Sequence, residues 1–245
     1  MNCGLTLREL DWDTEFFGVS CAKAVLNRAL GQPEWVSLIE KGRQYDLLVI
    51  ENRHSIPTNA QYIGRNTTAF LADVNIQFSK DIGGFHEMPL GVQIEQAMKP
   101  DDRVVSMAEF PYSRFLDDPE LARRGGGEVY RKWVANAFGD PHKHFAIART
   151  DSGEVSGFLL HSYSADICTV ELICVSRQSI RSGVGTRLFR ATEYSASQRG
   201  IAKIRVGTQI RNLEAINFYH AMGCRQSGCH QIYHLWNRQQ IGLIW

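Results

Sequence analysis

The stretch Ile180-Arg181-Ser182-Gly183-Val184-Gly185 decides the fold that we expect for the second half of this chain. It lies between a predicted strand at 166–175 and a predicted helix at 183–198, whose apolar residues recur at helical spacing. Two glycines at this spacing let a ligand approach the backbone, and the helix N-terminus offers free N–H groups and a positive dipole end to an anion. The stretch therefore predicts a pyrophosphate-binding turn, with a plain strand-to-helix turn as the alternative.

Two common nucleotide-binding motifs are excluded by the residues around this turn. Leu188 occupies the position of the third glycine of a dinucleotide fingerprint, and the next predicted strand ends at Thr208-Gln209 without a carboxylate for a ribose. The Gly-Lys-Ser/Thr end of a Walker loop is also missing. From Arg181 to Arg211 there are seven basic residues and one acidic residue, in a chain of net charge +1. A local basic zone in a neutral protein indicates a small polyanionic ligand and argues against a general nucleic-acid binder.

A second motif opens the helix predicted at 213–222. Asn212 precedes this helix, and Ala215, Phe218 and Tyr219 share one face at steps of three and four residues. A core aromatic stripe would explain this pattern when it is taken alone. However, this helix comes one strand after the glycine turn. The second interpretation is therefore that these residues face the ligand of that turn.

The order of strands and helices predicts an α/β fold with a mixed sheet. Around one helix at 34–43 we expect four strands, at 5–10, 19–26, 46–51 and 69–74. Beyond residue 100 we expect helices at 102–110, 128–137, 183–198 and 213–222, and strands at 145–150, 154–162, 166–175, 201–208 and 230–236. Glycines and Pro89 within 79–89 indicate a linker, which divides the chain into a small N-terminal subdomain, 1–90, and a larger domain, 91–245.

Composition and length exclude several classes of protein. The chain has 245 residues, 44% hydrophobic and 22% charged, which is ordinary for a globular protein. The longest aliphatic run, Leu47 to Ile50, is far shorter than the roughly 18 residues that span a bilayer. We see no signal peptide and therefore expect a cytoplasmic protein without membrane contact, whose six cysteines are reduced thiols.

The glycine turn and the Asn212 motif together resemble the GNAT superfamily of acetyl-CoA-dependent N-acetyltransferases, over roughly residues 104–236. The turn matches the pyrophosphate loop R/Q-x-x-G-x-G/A, except that Ile180 stands where Arg or Gln is usual. The resemblance implies a GNAT fold and acetyl-CoA as co-substrate, with no metal. It implies that the cofactor-binding residues are Ile173, Cys174, Val175, Arg181, Ser182, Gly183, Val184, Gly185, Thr186 and Asn212.

Further residues resemble the bacterial TDP-fucosamine acetyltransferases, which acetylate the 4-amino group of a dTDP-linked 4-amino-4,6-dideoxyhexose. They are Trp12-x-x-x-Phe16-Phe17-Gly18, Ser113-Arg114-Phe115, Trp133-x-x-Asn136-Ala137 and Val206-x-Thr208-Gln209-x-x-Asn212. The resemblance implies a nucleotide-linked amino sugar as the acceptor, in the synthesis of a surface polysaccharide such as lipopolysaccharide or enterobacterial common antigen. It also implies that the N-terminal subdomain recognises this acceptor.

The same resemblance assigns roles in acetyl transfer. Backbone N–H groups near Cys174 and Val175 would polarise the thioester carbonyl, and Tyr219 would protonate the departing thiolate. Glu171 is the candidate general base, although an exposed or paired strand glutamate is an equal alternative. The demand on a base is small if the sugar amine titrates like an α-amino group, with a pKa of about 8.

For the acceptor, Arg114 would pair with a phosphate, while Phe16, Phe17 or Phe115 would pack on the base or sugar. A surface arginine and core phenylalanines would explain the same residues. Two other functions stay open: acetylation of a peptide, protein or small-molecule amine, and a non-catalytic module that binds coenzyme A. The oligomeric state is also open, with a homodimer as one candidate.

Overall fold

The computed structural model describes residues 4–84, 87–96 and 99–237. The described residues form one ten-stranded sheet with helices packed on it. In chain order the strands are β1 (Leu5–Glu9), β2 (Cys21–Leu26), β3 (Leu47–Asn52), β4 (Phe70–Asp81), β5 (Val92–Gln96), β6 (Lys143–Arg149), β7 (Val155–Ser164), β8 (Ile167–Val175), β9 (Lys203–Gln209) and β10 (Arg225–Trp236). Their order across the sheet is β1-β2-β3-β10-β4-β9-β8-β7-β6-β5.

Helices connect most of these strands. They are α1 (Asp11–Phe17), α2 (Gln32–Gly42), α3 (Pro57–Asn66), α4 (Asp102–Ser106), α5 (Arg114–Asp117), α6 (Pro119–Arg123), α7 (Val129–Ala137), α8 (Val184–Gln198) and α9 (Leu213–Ala221). The longest helix is α8, and its residues Leu188, Ala191 and Ala196 lie in the main hydrophobic core. The same core contains Phe78 of β4 and Leu159 of β7. Burial of this apolar stripe fixes α8 across the sheet.

The two halves of the chain repeat one arrangement and exchange their last strands. The unit β2-α2-β3-α3-β4 has the same order as β8-α8-β9-α9-β10, and in each unit a helix connects two parallel strands. However, β10 pairs with β3, and β4 pairs with β9, both antiparallel. The exchanged strands β4 and β10 also pair with each other. The halves therefore share one continuous sheet.

This exchange corrects two boundaries that we expected. The strand predicted at 69–74 runs on to Asp81, because β4 stays paired with β9 as far as the Asp81–Lys203 position. Residues 79–81 are therefore strand and not part of the linker predicted at 79–89, of which residues 85 and 86 lie outside the described residues. The division of the chain near residue 90 stays a prediction, since the sheet itself does not divide there.

Within the described ranges, no helix combines the length and the apolar character needed to cross a membrane. Cys21, Cys168, Cys174, Cys224 and Cys229 are free thiols, while Cys3 lies outside the described residues.

A polar network lies inside the sheet beneath α8. His161 of β7 is fully buried, and its Nε2 is 3.0 Å from the hydroxyl of Tyr163, which donates to Ser195 Oγ at 2.8 Å. Burial lowers the pKa of His161 to about 3, and the neighbouring His144 acts in the same direction. The folded protein therefore holds His161 neutral at all ordinary pH values.

This burial predicts that the protein loses stability on mild acidification. The unfolded chain protonates His161 near pH 6.5, and the folded chain does not, so the free energy of unfolding falls as the pH drops below 6.5. At pH 5 the loss from this one residue is about 2 kcal/mol. Urea unfolding at pH 7.5 and pH 5 measures it, and His161→Gln should show a smaller decrease. An equal decrease in both proteins would contradict the assignment to His161.

Candidate active site

The site is organised by one extra residue in β8. His161 of β7 lies opposite Val170, and Leu160 lies opposite Leu172, so Glu171 has no partner on β7 and forms a β-bulge. Parallel pairing between β8 and β9 ends at the same place, with Val170 and Val206. A bulge bends its strand and increases its twist. Beyond Glu171 the two parallel strands therefore separate and leave a gap in the sheet.

The gap exposes backbone N–H groups of β8. Ser176 N–H donates to Ser156 on β7 at 2.9 Å, and N–H directions alternate along an antiparallel strand. The N–H of Cys174 therefore faces β7, while those of Ile173 and Val175 face the gap. This corrects one expectation: Ile173 and Val175 carry the free donors, and Cys174 points its thiol to the carbonyl oxygen of Met107 at 3.0 Å.

The glycine turn and the gap enclose a cleft of about 490 Å³, which we call the glycine-loop cleft. The predicted residues that line it are Ile173, Val175, Arg181, Gly183, Val184, Gly185, Thr186 and Asn212, and Ile180 lines it as well. Ser182 instead donates its hydroxyl to the carbonyl oxygen of Ser179 at 2.6 Å.

Each glycine of the turn has a different structural task. Gly183 immediately precedes α8 with a φ of 79°, a left-handed conformation that favours glycine. Gly185 lets the ring of Phe218 approach, since a Cβ at this position would lie 3.3 Å from that ring. No side chain among the described residues caps α8, so the first N–H groups of this 15-residue helix are free for an anion.

A second cavity, of about 310 Å³, lies against the gap, and we call it the tyrosine cavity. Tyr219 and Glu171 both line it, and it shares Ile173, Asn212 and Ala215 with the glycine-loop cleft. A ligand in the cleft and a ligand in the cavity would therefore meet beside these shared residues.

Tyr219 is buried among aromatic rings, with the centroid of Phe78 at 5.6 Å and that of Phe218 at 5.4 Å. Burial raises the pKa of Tyr219 above its usual value, so the hydroxyl keeps its proton at physiological pH. Its hydroxyl makes no hydrogen bond to another described residue. The side chain can therefore give its proton to a ligand in the cavity.

Asn212 lies where the two spaces meet. Its Oδ1 accepts from the backbone N–H of Ala215 at 3.1 Å, which caps the start of α9. The cap uses the oxygen and leaves the Nδ2 amide as a donor beside the cleft.

Glu171 is held at the bulge by Lys143 and Ser162. Its Oε1 is 2.5 Å from Lys143 Nζ and accepts from Ser162 Oγ at 2.5 Å. Its other oxygen, Oε2, is buried without a hydrogen-bond partner among the described residues. A buried carboxylate oxygen without a partner is costly, so a donor from a ligand in the tyrosine cavity would be stabilising there.

A third cavity, of about 370 Å³, continues from the tyrosine cavity, and we call it the tryptophan groove. Trp12 and Arg8 line the groove, while Trp133, Arg114 and Phe115 line both spaces. The predicted residues Phe16 and Phe17 line neither space. Phe16 stacks on Trp12 with centroids 4.9 Å apart, and Phe17 is buried 5.9 Å from Phe115. Both rings therefore support the wall of the site from behind.

Sequence patterns gave no indication of Asp73 or Lys143. Asp73 of β4 lines the tyrosine cavity, and burial raises its pKa, although Arg114 opposes this. It reaches the site only because β4 crosses to β9. Among the described residues no group of three or more histidine, cysteine, aspartate or glutamate side chains is arranged to hold a metal ion.

Comparison with known proteins agrees with this geometry. Residues 104–224 match the model of the acetyltransferase (GNAT) family. Over 127 residues the chain is 26% identical to the spore coat polysaccharide biosynthesis protein SpsD of Bacillus subtilis (strain 168). This match covers 52% of the chain and 44% of SpsD, so the chain corresponds to less than half of that relative's length.

Solved structures show the same fold at low identity. A GCN5-related N-acetyltransferase from Sphaerobacter thermophilus superposes with a TM-score of 0.66 at 14% identity, over 98% of this chain and 79% of its own. A tandem GNAT protein from the clavulanic acid biosynthesis pathway gives 0.56 at 15% identity, over 91% and 79%. The expected fold class is thereby confirmed, and the family match supports the expectation of an enzyme. Residues 104–224 are therefore an acetyltransferase domain of the GNAT family.

Proposed function

We propose that this enzyme transfers the acetyl group of acetyl-CoA to the amine of a nucleotide-linked amino sugar, in the synthesis of a surface polysaccharide. The observation that carries the proposal is the meeting of two separate spaces at Ile173, Asn212 and Ala215, with Tyr219 on one side. The likeness to SpsD, which is named for polysaccharide biosynthesis, supports a sugar acceptor. Arg114 on the acceptor side suits an anionic group attached to that sugar.

The residues present fit acetyl-CoA. The uncapped N-terminus of α8 would bind the pyrophosphate, and Asn212 Nδ2 together with the N–H group of Val175 would bind the pantetheine arm. When bound, acetyl-CoA supplies the thioester that reacts. The N–H group of Ile173, which lines both spaces, would stabilise the negative charge that develops on the thioester oxygen.

The reaction needs two proton movements. The neutral amine attacks the carbonyl carbon, the C–N bond forms, and the C–S bond breaks with its electron pair leaving on sulfur. Tyr219 gives its proton to that sulfur, and Glu171 Oε2 accepts the proton that the amine loses. The test of the whole proposal is thiol release from acetyl-CoA with dTDP- and UDP-linked amino sugars, beside free amino sugars and peptides. Activity confined to peptides would overturn it.

Gly185→Val should weaken acetyl-CoA binding by about 2 kcal/mol or more, because the new side chain blocks approach to the backbone and displaces Phe218. Isothermal titration calorimetry measures the change. Gly64→Val on α3 is the control, since a Cβ there meets no atom within 4 Å. Unchanged affinity in a folded Gly185→Val protein would remove the glycine turn from the cofactor site.

Tyr219→Phe should lower kcat by about 10²–10⁴-fold, because it deletes the proton donor and keeps the ring. Acetyl-CoA affinity and the melting temperature should change little, since the hydroxyl bonds to no described residue. The control is Tyr194→Phe on α8, a half-buried tyrosine that lines none of the three cavities. A fully active Tyr219→Phe enzyme would leave solvent as the proton source.

Glu171→Gln should reduce kcat/KM strongly at pH 6.5 and little at pH 9. Below a pKa of about 8 the sugar amine is mostly protonated and needs a base, whereas above it the amine is already neutral. Ser162→Ala is the control, because it removes one hydrogen bond to Glu171 and keeps the carboxylate. A reduction of the same size at both pH values would mean that Glu171 acts in another way.

A further inference from the structure

The tryptophan groove is the part of the acceptor side that the chemistry of acetyl transfer does not use. It adjoins the tyrosine cavity, and the two spaces share Lys23, Arg114, Phe115 and Trp133. Its volume of about 370 Å³ is within the range of about 300–1,000 Å³ that is usual for small-molecule sites. A ligand whose amine lies in the tyrosine cavity can therefore extend into the groove.

Positive charge in the groove is incompletely neutralised. The guanidinium groups of Arg8 and Arg114 make no ion pair or hydrogen bond with other described residues. Arg8 also lies directly opposite Lys23 in the β1–β2 register, and like charges in such positions destabilise a sheet. Lys23 is paired with Glu51 at 2.5 Å, and Lys143 with Glu171, so the two arginines are the cations left for an anion.

Two acidic side chains also line the groove, Asp13 and Asp140. Burial raises the pKa of Asp13, against the influence of Arg114, Lys23 and Arg8. Asp140 accepts from the backbone N–H of His142 at 2.8 Å. Because Lys23 and Lys143 are already paired, Arg8 and Arg114 lie beside these two acids without an ion pair to either of them.

Two indole rings provide an apolar platform beside these cations. Trp133 is stacked on Tyr130 with the planes 9° apart, and Trp12 is stacked on Phe16 with the planes 16° apart. Each ring is thus backed by another aromatic ring while it lines the groove. Trp133 is 37% exposed, so its ring is accessible from the groove. Such backed aromatic rings are suited to stacking with a nucleobase.

We propose that the tryptophan groove binds the nucleoside diphosphate of the acceptor, with the phosphates at Arg8 and Arg114 and the base on Trp12 or Trp133. This assignment rests on the proposed function. A larger neighbouring cavity, of about 740 Å³, is less suitable. Its Arg131 is already paired with Glu109 and Glu128, so one of its cations is neutralised within the protein.

The experiment measures binding of dTDP, UDP and inorganic pyrophosphate by calorimetry and by tryptophan fluorescence. Coenzyme A is present at saturation. Its own site accepts an adenosine diphosphate group, so dTDP or UDP could bind there if that site were left empty. Binding alone is the readout, so the result does not depend on acetyl transfer. If dTDP binds in the groove and no amino sugar is acetylated, the proposed function fails and the groove assignment stands.

The variants separate the two parts of the ligand. Arg114→Ala should weaken both dTDP and pyrophosphate by about 10-fold or more, since it removes a charge-assisted contact. Trp133→Ala should weaken dTDP by about 5- to 30-fold and leave pyrophosphate unchanged, because only the base stacks. Arg205→Ala is the control, an exposed arginine on β9 without a described ion pair that lines none of the three cavities.

Three outcomes would overturn the assignment. The first is that the wild-type enzyme binds coenzyme A and neither nucleotide. The second is that Arg114→Ala and Trp133→Ala bind dTDP as tightly as the wild type and retain its melting temperature. The third is that Trp133→Ala weakens pyrophosphate and dTDP equally, which would indicate collapse of the groove. A Trp133→Phe variant that restores most dTDP affinity would support stacking.

Discussion

The bulge at Glu171 is the constraint on which the rest of the site depends. One unpaired residue ends the parallel pairing of β8 with β9 and bends β8 away. The extra residue also shifts the alternation of side chains along β8, so that residues after the bulge face the opposite side from the one they would otherwise face. Leu172 and Cys174 join the core beside α4 and α7. Ile173 and Val175 face α8. In the N-terminal half, by contrast, β2 and β3 stay paired over all six positions, and no gap opens between them. Free donors in a sheet are costly unless a ligand or water satisfies them, which makes this gap a place for binding.

The exchange of β4 and β10 decides which half supplies which side of the site. The glycine turn, β8 and α9 come from the second half, whereas Arg8, Lys23 and Asp73 come from the first. A buried contact ties β10 to α6: Asp118 Oδ2 is 2.7 Å from His234 Nδ1 and accepts from Trp236 Nε1 at 3.0 Å. Burial alone would raise the pKa of Asp118, and these hydrogen bonds lower it below its usual value. The tryptophan groove thus cannot be separated from the glycine-loop cleft without unpairing the strands at the centre of the sheet.

Local patterns predicted the parts of the site that are local in the chain. The glycine turn, the start of α9 at Asn212 and the position of Tyr219 all follow from spacing within one turn or helix. The bulge could not be predicted, because it is a mismatch between two strands and leaves no signal in one of them. Asp73 was missed for the same reason, since only the pairing of β4 with β9 brings it to the cavity. Phe17 is the opposite case: its motif is visible in the sequence, whereas the structure buries its ring against Phe115, behind the wall of the site.

Tyr219 shows how packing and chemistry depend on the same contacts. Its ring touches the aromatic side chains of the main core on β4, α8 and α9, so the helix that carries it is fixed relative to the gap. The same burial favours the neutral hydroxyl over the phenolate, so a proton is available at any pH at which the protein is folded and active. A thiolate that forms nearby in this poorly hydrated space would be a stronger base than in water, because it too is disfavoured by desolvation. Burial therefore raises the proton affinity of donor and acceptor together, and the transfer between them stays feasible despite the high pKa of the tyrosine.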